Sequence, residues 1–351
     1  MIRLKSFFLL LIAAFCTFGV YFSAAETAPY TIRIGILGSE ADEDYDGALV
    51  FKDYVEARAN GRVEVDIFTY GQFCGNEREC IENMQSGVLD VFMTTIGGMG
   101  NIYGPGQVFD LPYVFRDDRV AECVFDGPIV DDLRKTILAE NLGLRLMAVS
   151  NTGGWRNFAT TSTQIQRPED LRGLKVRTTS APIQQELMRQ LGANPTPVSW
   201  AELYTALATG VVEGTKNGIQ DIVGMNFHEH VKFITLDGHA YMGALWWYSD
   251  KNWQELPPDI RRQVFDGFQH LKTVTRAIPM RRQIEAYETF REAGGEVYAL
   301  SPEEKRLFQE ATSGMRGWYS EKYGTQWLDK LDTSIAACEQ QVDDAFALGN
   351  Q

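Results

Sequence analysis

Arg177 closes a short strand, Gly173-Leu174-Lys175-Val176-Arg177, and Thr178-Thr179-Ser180-Ala181-Pro182 leads from it into a helix. A guanidinium holds its donors in a rigid fork that fits a carboxylate. The start of the following helix offers free backbone N–H groups and the positive end of a dipole to the same space. Ligands of open α/β sheets sit beyond the carboxyl ends of strands. This order of elements predicts an anion site for a small acid, against the competing reading of a surface ion pair. Arg156 is placed in a similar way, beside Gly153-Gly154-Trp155, with an ordinary strand arginine as the alternative. Asn217 follows a strand in Val212-Glu213-Gly214-Thr215-Lys216-Asn217-Gly218 and could bond a polar ligand group or simply form an Asn-Gly turn. Trp155, Trp200, Trp246 and Trp247 could pack on a ligand or fill cores.

Catalytic signatures are absent. There is no nucleophile elbow and no His-Glu-x-x-His, and the glycines at 97, 98, 100, 104 and 106 do not spell a dinucleotide fingerprint because position 103 is Tyr. His228-Glu229-His230 with His239 is a weak metal motif, and solvated or supporting histidines are the alternative. No cofactor and no metal are expected.

The elements that must position these residues belong to an exported chain. Arg3 and Lys5 precede an uncharged apolar run from Phe7 to Phe22, and Ser23-Ala24-Ala25 supplies small residues for cleavage near Ala25. Residues 1–25 therefore read as a signal peptide and the location as the periplasm, with a retained anchor as the alternative. No later stretch reaches the roughly 20 apolar residues of a membrane helix. The 351-residue chain has a formal net charge of −14. Loss of the leader removes two bases and no acid, which argues against nucleic acid or an anionic membrane as partner. A local arginine in a cleft still outweighs distant acids that salt screens over about 10 Å. Four cysteines remain after the leader. Cys74 and Cys80 flank a tight turn and helix start, which favours that pair; Cys123–Cys338 follows by elimination, with free buried thiols as the alternative.

Strand and helix patterns alternate from Thr31 to Val149, which predicts a mainly parallel sheet covered by helices. A second such unit starts after Gly153-Gly154. It has strands near Trp155–Thr160, Lys175–Arg177, Val231–Leu236 and Tyr241–Tyr248. A capping box at Ser199-Trp200-Ala201-Glu202 predicts a helix to about Ala208. Pro258 opens a long helix that Pro279 interrupts and kinks. Ser301-Pro302-Glu303-Glu304 caps another, and helices continue to the C-terminus.

Between Arg156 and Asn217 the chain resembles the solute-binding subunit of tripartite ATP-independent periplasmic (TRAP) transporters, the dicarboxylate-binding protein family. The matching pieces are Gly154-Trp155-Arg156-Asn157-Phe158, the run from Arg167-Pro168-Glu169-Asp170-Leu171 through Gly173-Leu174-Lys175-Val176-Arg177, Trp200-Ala201-Glu202-Leu203-Tyr204, and Gly210-Val211-Val212-Glu213-Gly214. Gly71-Gln72-Phe73, Phe109-Asp110-Leu111-Pro112-Tyr113 and Asn252-Trp253-Gln254-Glu255-Leu256-Pro257 extend the similarity over nearly all of the exported chain. The chain departs from the family pattern at Lys216, where a glutamine is usual, and at Cys74 and Cys80.

The resemblance implies an α/β, two-lobed periplasmic-binding-protein-like fold with mixed sheets, a long kinked helix spanning both lobes and a helical C-terminus. Residues 26–152 with 238–280 would form one lobe, and 153–237 with 281–351 the other. It also implies that Arg177 carries the main ion pair to a ligand carboxylate, with Arg156 and Asn217 as further contacts. Trp155, Tyr45, Gln72 and Glu77 complete the expected site, with the first lobe contributing Glu43 to Tyr45, Gln72 to Glu77 and the Gly97-Gly98 loop. The expected partners are a small carboxylate ligand and the small and large membrane subunits of the transporter; a monomer is expected. A two-lobed receptor for an ATP-driven importer or sensor is the first rival, and an exported enzyme the second.

Overall fold

The computed structural model describes residues 29–349; the leader expected at 1–25 lies outside them. The first part of the chain runs β1 (Tyr30–Gly35), α1 (Glu43–Ala59), β2 (Val63–Phe68), α2 (Glu77–Ser86), β3 (Val91–Thr95), α3 (Asp118–Asp126), α4 (Pro128–Ala139) and β4 (Leu144–Thr160). The middle runs β5 (Lys175–Thr178), α5 (Pro182–Gln190), β6 (Asn194–Pro197), α6 (Leu203–Ala208), β7 (Gly214–Asn217), α7 (Ile219–Gly224) and β8 (Phe233–Ser249). The remainder is α8 (Asp250–Glu255), α9 (Pro258–Glu292), β9 (Glu296–Ala299), α10 (Pro302–Ala311), α11 (Met315–Tyr323) and α12 (Gln326–Gly349).

All nine strands of the described residues join one continuous sheet, ordered β2-β1-β3-β8-β4-β7-β5-β6, with β9 on the free side of β8. Its wings are parallel, through β1 with β2 and β3, and through β5 with β6 and β7. Its middle is antiparallel, through β3–β8, β4–β8 and β4–β7, so the expected parallel sheet holds only in the wings. The reason is that β4 and β8 are each a single strand of 17 residues. The sequence patterns divide each of them into two short strands, because Gly153-Gly154 and Asp237-Gly238 read as breaks. The ladder absorbs the glycines as register slips instead. Asn151 pairs with Gly243 and Trp155 with Tyr241, so Thr152, Gly153 and Gly154 stand opposite the single residue Met242. An excess of residues on one strand is a bulge, which bends and twists the ladder locally.

One end of the β4–β8 pair lies in the wing with β1, β2 and β3, and the other in the wing with β5, β6, β7 and β9. Helix α9 spans both, packing on α1 and on α7. Pro279 is buried inside α9, which runs through it to Glu292, and the Pro279 carbonyl accepts a bond from Gln220 Nε2 at 3.0 Å. One apolar core lies between α1, α9 and the first wing and includes Ile34, Phe51, Trp246 and Phe268. A second, with Phe227 and Phe290, fills the other wing beneath α6 and α7. A third, with Trp247, Phe109, Phe308 and Leu331, joins the remaining helices. Trp246 and Trp247 are fully buried in these cores. Helix α12 packs on α3 and α4, and the Cys123–Cys338 disulfide fastens it there; Cys74 pairs with Cys80, as the spacing favoured.

Two capping boxes read from sequence have different outcomes. Ser301 caps α10, with its Oγ accepting from Glu304 N–H while Glu304 Oε2 accepts from Ser301 N–H. Ser199 does not open a helix at once. Its Oγ donates to Glu202 Oε2 at 2.6 Å, α6 starts only at Leu203, and the loop it leaves lines a cavity.

Candidate functional site

A cavity of about 330 Å³ opens between the wings, at the carboxyl ends of β1, β3, β5 and β7. Arg177 enters it from the end of β5 and is only 5% exposed. Its Nε–H donates to the Val198 carbonyl at 3.0 Å. Among the described residues, neither Nη has a hydrogen-bond or ion-pair partner. Burial, and next the charge of Arg156, lowers its pKa to about 10, with Glu77 and Asp221 pulling the other way. The ring of Trp200 lies 5.5 Å from its guanidinium carbon and also lines the cavity.

The helix start after Arg177 contributes less than the sequence suggests. Thr179 N–H bonds Gln184 Oε1, Ala181 N–H bonds Thr179 Oγ1, and Ile183 N–H bonds Gln107 Oε1. These donors are consumed within the protein, so anion attraction falls to the guanidinium groups. Thr179 and Ser180 still form part of the wall.

Arg156, 3% exposed, reaches the same cavity from β4. Its Nη1 donates to the Lys216 carbonyl at 3.1 Å, and its Nε lies 4.0 Å from Asp110 Oδ1. Lys216 is buried behind it and donates to Gln184 Oε1 at 2.7 Å; burial, then Arg156, holds its ammonium well below the usual lysine range. Asn217 is the last residue of β7 and lies in the ladder opposite Asn157, rather than in a loop. Its Nδ2 donates to Asp221 Oδ2 at 3.1 Å, and its Oδ1 accepts from Thr215 Oγ1 at 2.7 Å. Glu77 begins α2, and its carboxyl is raised by burial and pulled down by Arg177 and then Arg156.

Arg177, Arg156, Asn217 and Glu77 therefore share one wall; Trp155, Gln72 and Tyr45 do not. Successive side chains of a strand point to opposite faces. Arg156 faces the cavity, so its neighbour Trp155 faces away, where its indole donates to Asp118 at 2.7 Å and packs edge-on against Tyr241. Tyr45 turns toward the core between α1 and α9, and Gln72 is exposed in a turn. The Gly97-Gly98 segment is a buried 3₁₀ turn packed on Gln184, Asp110 and Glu77, so it backs the site.

The sequence reading named Glu43 to Tyr45, and so Asp44, as a first-lobe contribution, but it missed Asp42 and Asp221. Asp42, Asp44 and Asp221 line the cavity, and Glu43 sits behind them. Asp42 Oδ2 accepts from Ser39 N–H at 2.6 Å, Asp44 Oδ2 accepts from Thr152 Oγ1 at 2.9 Å, and Glu43 accepts from Gly153 N–H. Burial, and next the charge of Asp221, raises Asp42 to about 7. Burial raises Asp221 to about 6 against the bond from Asn217 and the charge of Arg156. Glu43 and Asp44 are pushed well above the carboxylate range by burial and then by the neighbouring acids. A run of five residues with four acids, Glu40 to Asp44, was the visible signal. Asp221 gave none beyond its spacing of four from Asn217. Among the described residues, no His, Cys, Asp and Glu cluster has metal-holding geometry, and His228, His230 and His239 do not converge on one.

Two sheet wings sharing a pair of through-running strands, with a charged cavity where they meet, define a two-lobed solute receptor. The chain matches the bacterial extracellular solute-binding protein family 7, DctP, over residues 34–318, and it belongs to that family. It is 27% identical to the 2,3-diketo-L-gulonate-binding periplasmic protein of Escherichia coli over 83% of this chain and 87% of the relative. A TRAP periplasmic solute-binding protein of Sulfurospirillum deleyianum, solved with bound succinate, superposes with a TM-score of 0.82 at 25% identity, covering 87% of this chain and 99% of that one. Another from Polaromonas, bound to D-erythronate, gives 0.80 at 28% identity over 88% and 98%. The protein is accordingly a periplasmic solute-binding component of the TRAP type.

Proposed function

We propose that the protein captures a small organic acid in this cavity and delivers it to the small and large membrane subunits of a TRAP transporter. The carboxylate lies end-on across Nη1 and Nη2 of Arg177, since Nε is committed to Val198. Arg156 adds positive potential behind it, and Asn217 and Glu77 complete the wall. The observation that carries this reading is an arginine 5% exposed whose two terminal nitrogens find no partner among the described residues. A buried charge without a counter-charge is costly, and a carboxylate supplies both the charge and two acceptors. The three relatives described above are named or solved with carboxylates, which supports the same class here.

The protein acts as a monomeric receptor and not as an enzyme, in keeping with the solute-binding family to which it belongs. The two lobes are 26–152 with 238–280 and 153–237 with 281–351, with α12 crossing back onto the first. Thermal-shift screening of dicarboxylates, sugar acids, keto acids and amino acids, followed by calorimetry, tests the reading, because a ligand bound only by the folded state raises the melting temperature. Absence of binding by every acid would overturn it.

A further inference from the structure

The cavity has a second pole that a bare carboxylate leaves unused. Asp42, Asp44 and Asp221 line it, and Asp44 and Asp221 are 4% and 7% exposed. Asp221 lies within the influence of Arg156 and Arg177, whereas the charges acting most strongly on Asp44 are the acids Asp42 and Asp221. The cation that acts on Asp42 is Arg282, and its Nη2 is already paired with Asp46 Oδ2 at 2.5 Å. The wall thus grades from guanidinium groups, through Asp221, to acids with no cation of their own.

A second observation points to a ligand at the acidic end. Among the described residues Asp44 Oδ1 has no hydrogen-bond partner, although the residue is almost wholly buried and stands in the cavity wall. Buried polar groups are nearly always satisfied, and buried charges are paired. The Thr152 hydroxyl occupies only the other oxygen. What this end lacks is positive charge together with N–H donors. A protonated amine supplies one charge and up to three donors. A hydroxyl supplies one donor and leaves the excess of negative charge standing.

We propose that the solute is bipolar: a carboxylic acid that also carries a primary or secondary ammonium group, with the carboxylate on Arg177 and the ammonium among Asp42, Asp44 and Asp221. The inference rests on the carboxylate reading of Arg177 and narrows it to amino-acid-type zwitterions. Binding of the cation favours the ionised acids, so protons held by the raised carboxyls are released as the ligand enters.

The test is calorimetry at pH 7 with α-, β- and γ-amino acids of four to six carbons. Each is compared with the hydroxy acid and the unsubstituted acid of the same skeleton, in phosphate and in Tris. At least one amino acid is expected to bind tenfold or more tightly than both of its partners, and to release protons on binding. Asp44→Asn is expected to reduce that preference at least tenfold while keeping its circular dichroism spectrum. Asp42→Asn, at a less buried position, serves if Asp44→Asn does not fold. Binding by hydroxy acids, sugar acids or dicarboxylates with no amine preference would overturn the proposal and leave the carboxylate reading intact, as would a preference untouched by both variants. Failure of every acid, with or without an amine, would overturn the carboxylate reading and this one with it.

Discussion

Replacing Arg177 by alanine tests the site most directly. The side chain is 5% exposed and gives one bond to the protein, Nε–H to the Val198 carbonyl, leaving both terminal nitrogens for the ligand. Truncating one partner of a desolvated, hydrogen-bonded charge pair costs about 2–5 kcal/mol, roughly 30-fold to a few thousand-fold in Kd. Arg156 stays beside the vacated position and keeps part of the field, which places the expected loss near 100-fold, about 2.7 kcal/mol. Arg177→Lys keeps the charge but not the fork, so a loss of about tenfold is expected, the order of one charge-assisted bond. The unliganded Arg177→Ala protein should melt close to the parent, because the change relieves burial of a charge and repulsion from Arg156 while giving up a single bond. Calorimetric titration with the acid found by thermal shift gives the affinities, and Trp155→Phe is the control. Trp155 faces away from the cavity, so its replacement should leave Kd within threefold and cost only the bond to Asp118. An Arg177→Ala affinity within threefold of the parent, with unchanged circular dichroism, would refute the assignment.

Asp42 and Asp221 bind protons more tightly folded, at about 7 and about 6, than in the unfolded chain near 3.8. Their contribution to stability is full below the unfolded value and is lost as pH rises through about 6 and 7. The unliganded protein should therefore melt at a lower temperature at pH 8 than at pH 5.5, and Asp42→Asn should flatten that slope; identical slopes would remove Asp42 from the linkage. The Cys123–Cys338 bridge closes a separation of 215 residues and Cys74–Cys80 one of 6. Chain-entropy arguments give upper figures of about 5 and about 2 kcal/mol. Replacing Cys123 and Cys338 by alanine should lower the melting temperature more than replacing the other pair. A Cβ on Gly218 would come 1.8 Å from the Gly153 carbonyl oxygen. Gly218→Ala should displace Asn217 and Asp221 and lose at least tenfold in affinity, and retained affinity would show that this backbone contact does not set the site.

Much of the charged wall was legible near strand ends: Arg177 stands one residue before the end of β5, beside turn residues that punctuate the sequence, whereas Asn217, expected after a strand, is itself the last residue of β7. Trp155 shows how narrow that legibility is, since a shift of one position on a strand exchanges cavity for core. The 17-residue strands were hidden because Gly-Gly and Asp-Gly normally end a ladder, and only tertiary pairing on both sides carries β4 and β8 through. Glu43 and Asp44 were expected in the site, but Asp42, the residue just before α1, was obscured by a sufficient local explanation. Carboxylates at the start of a helix complement its dipole, so nothing in the sequence required them to face a cavity. Asp221 comes near Arg156 only once β7 and β4 are paired.

The bulge in β4 is joined straight to that acidic end, through Thr152 to Asp44 and Gly153 to Glu43. The receptor is therefore less like two plates on a string than a sprung crosspiece with a notch cut where the cargo rests. Flexing the notch moves the carboxyl groups, and whatever tightens on the carboxyl groups stiffens the notch. Neither half can be excised with its backbone bonding intact.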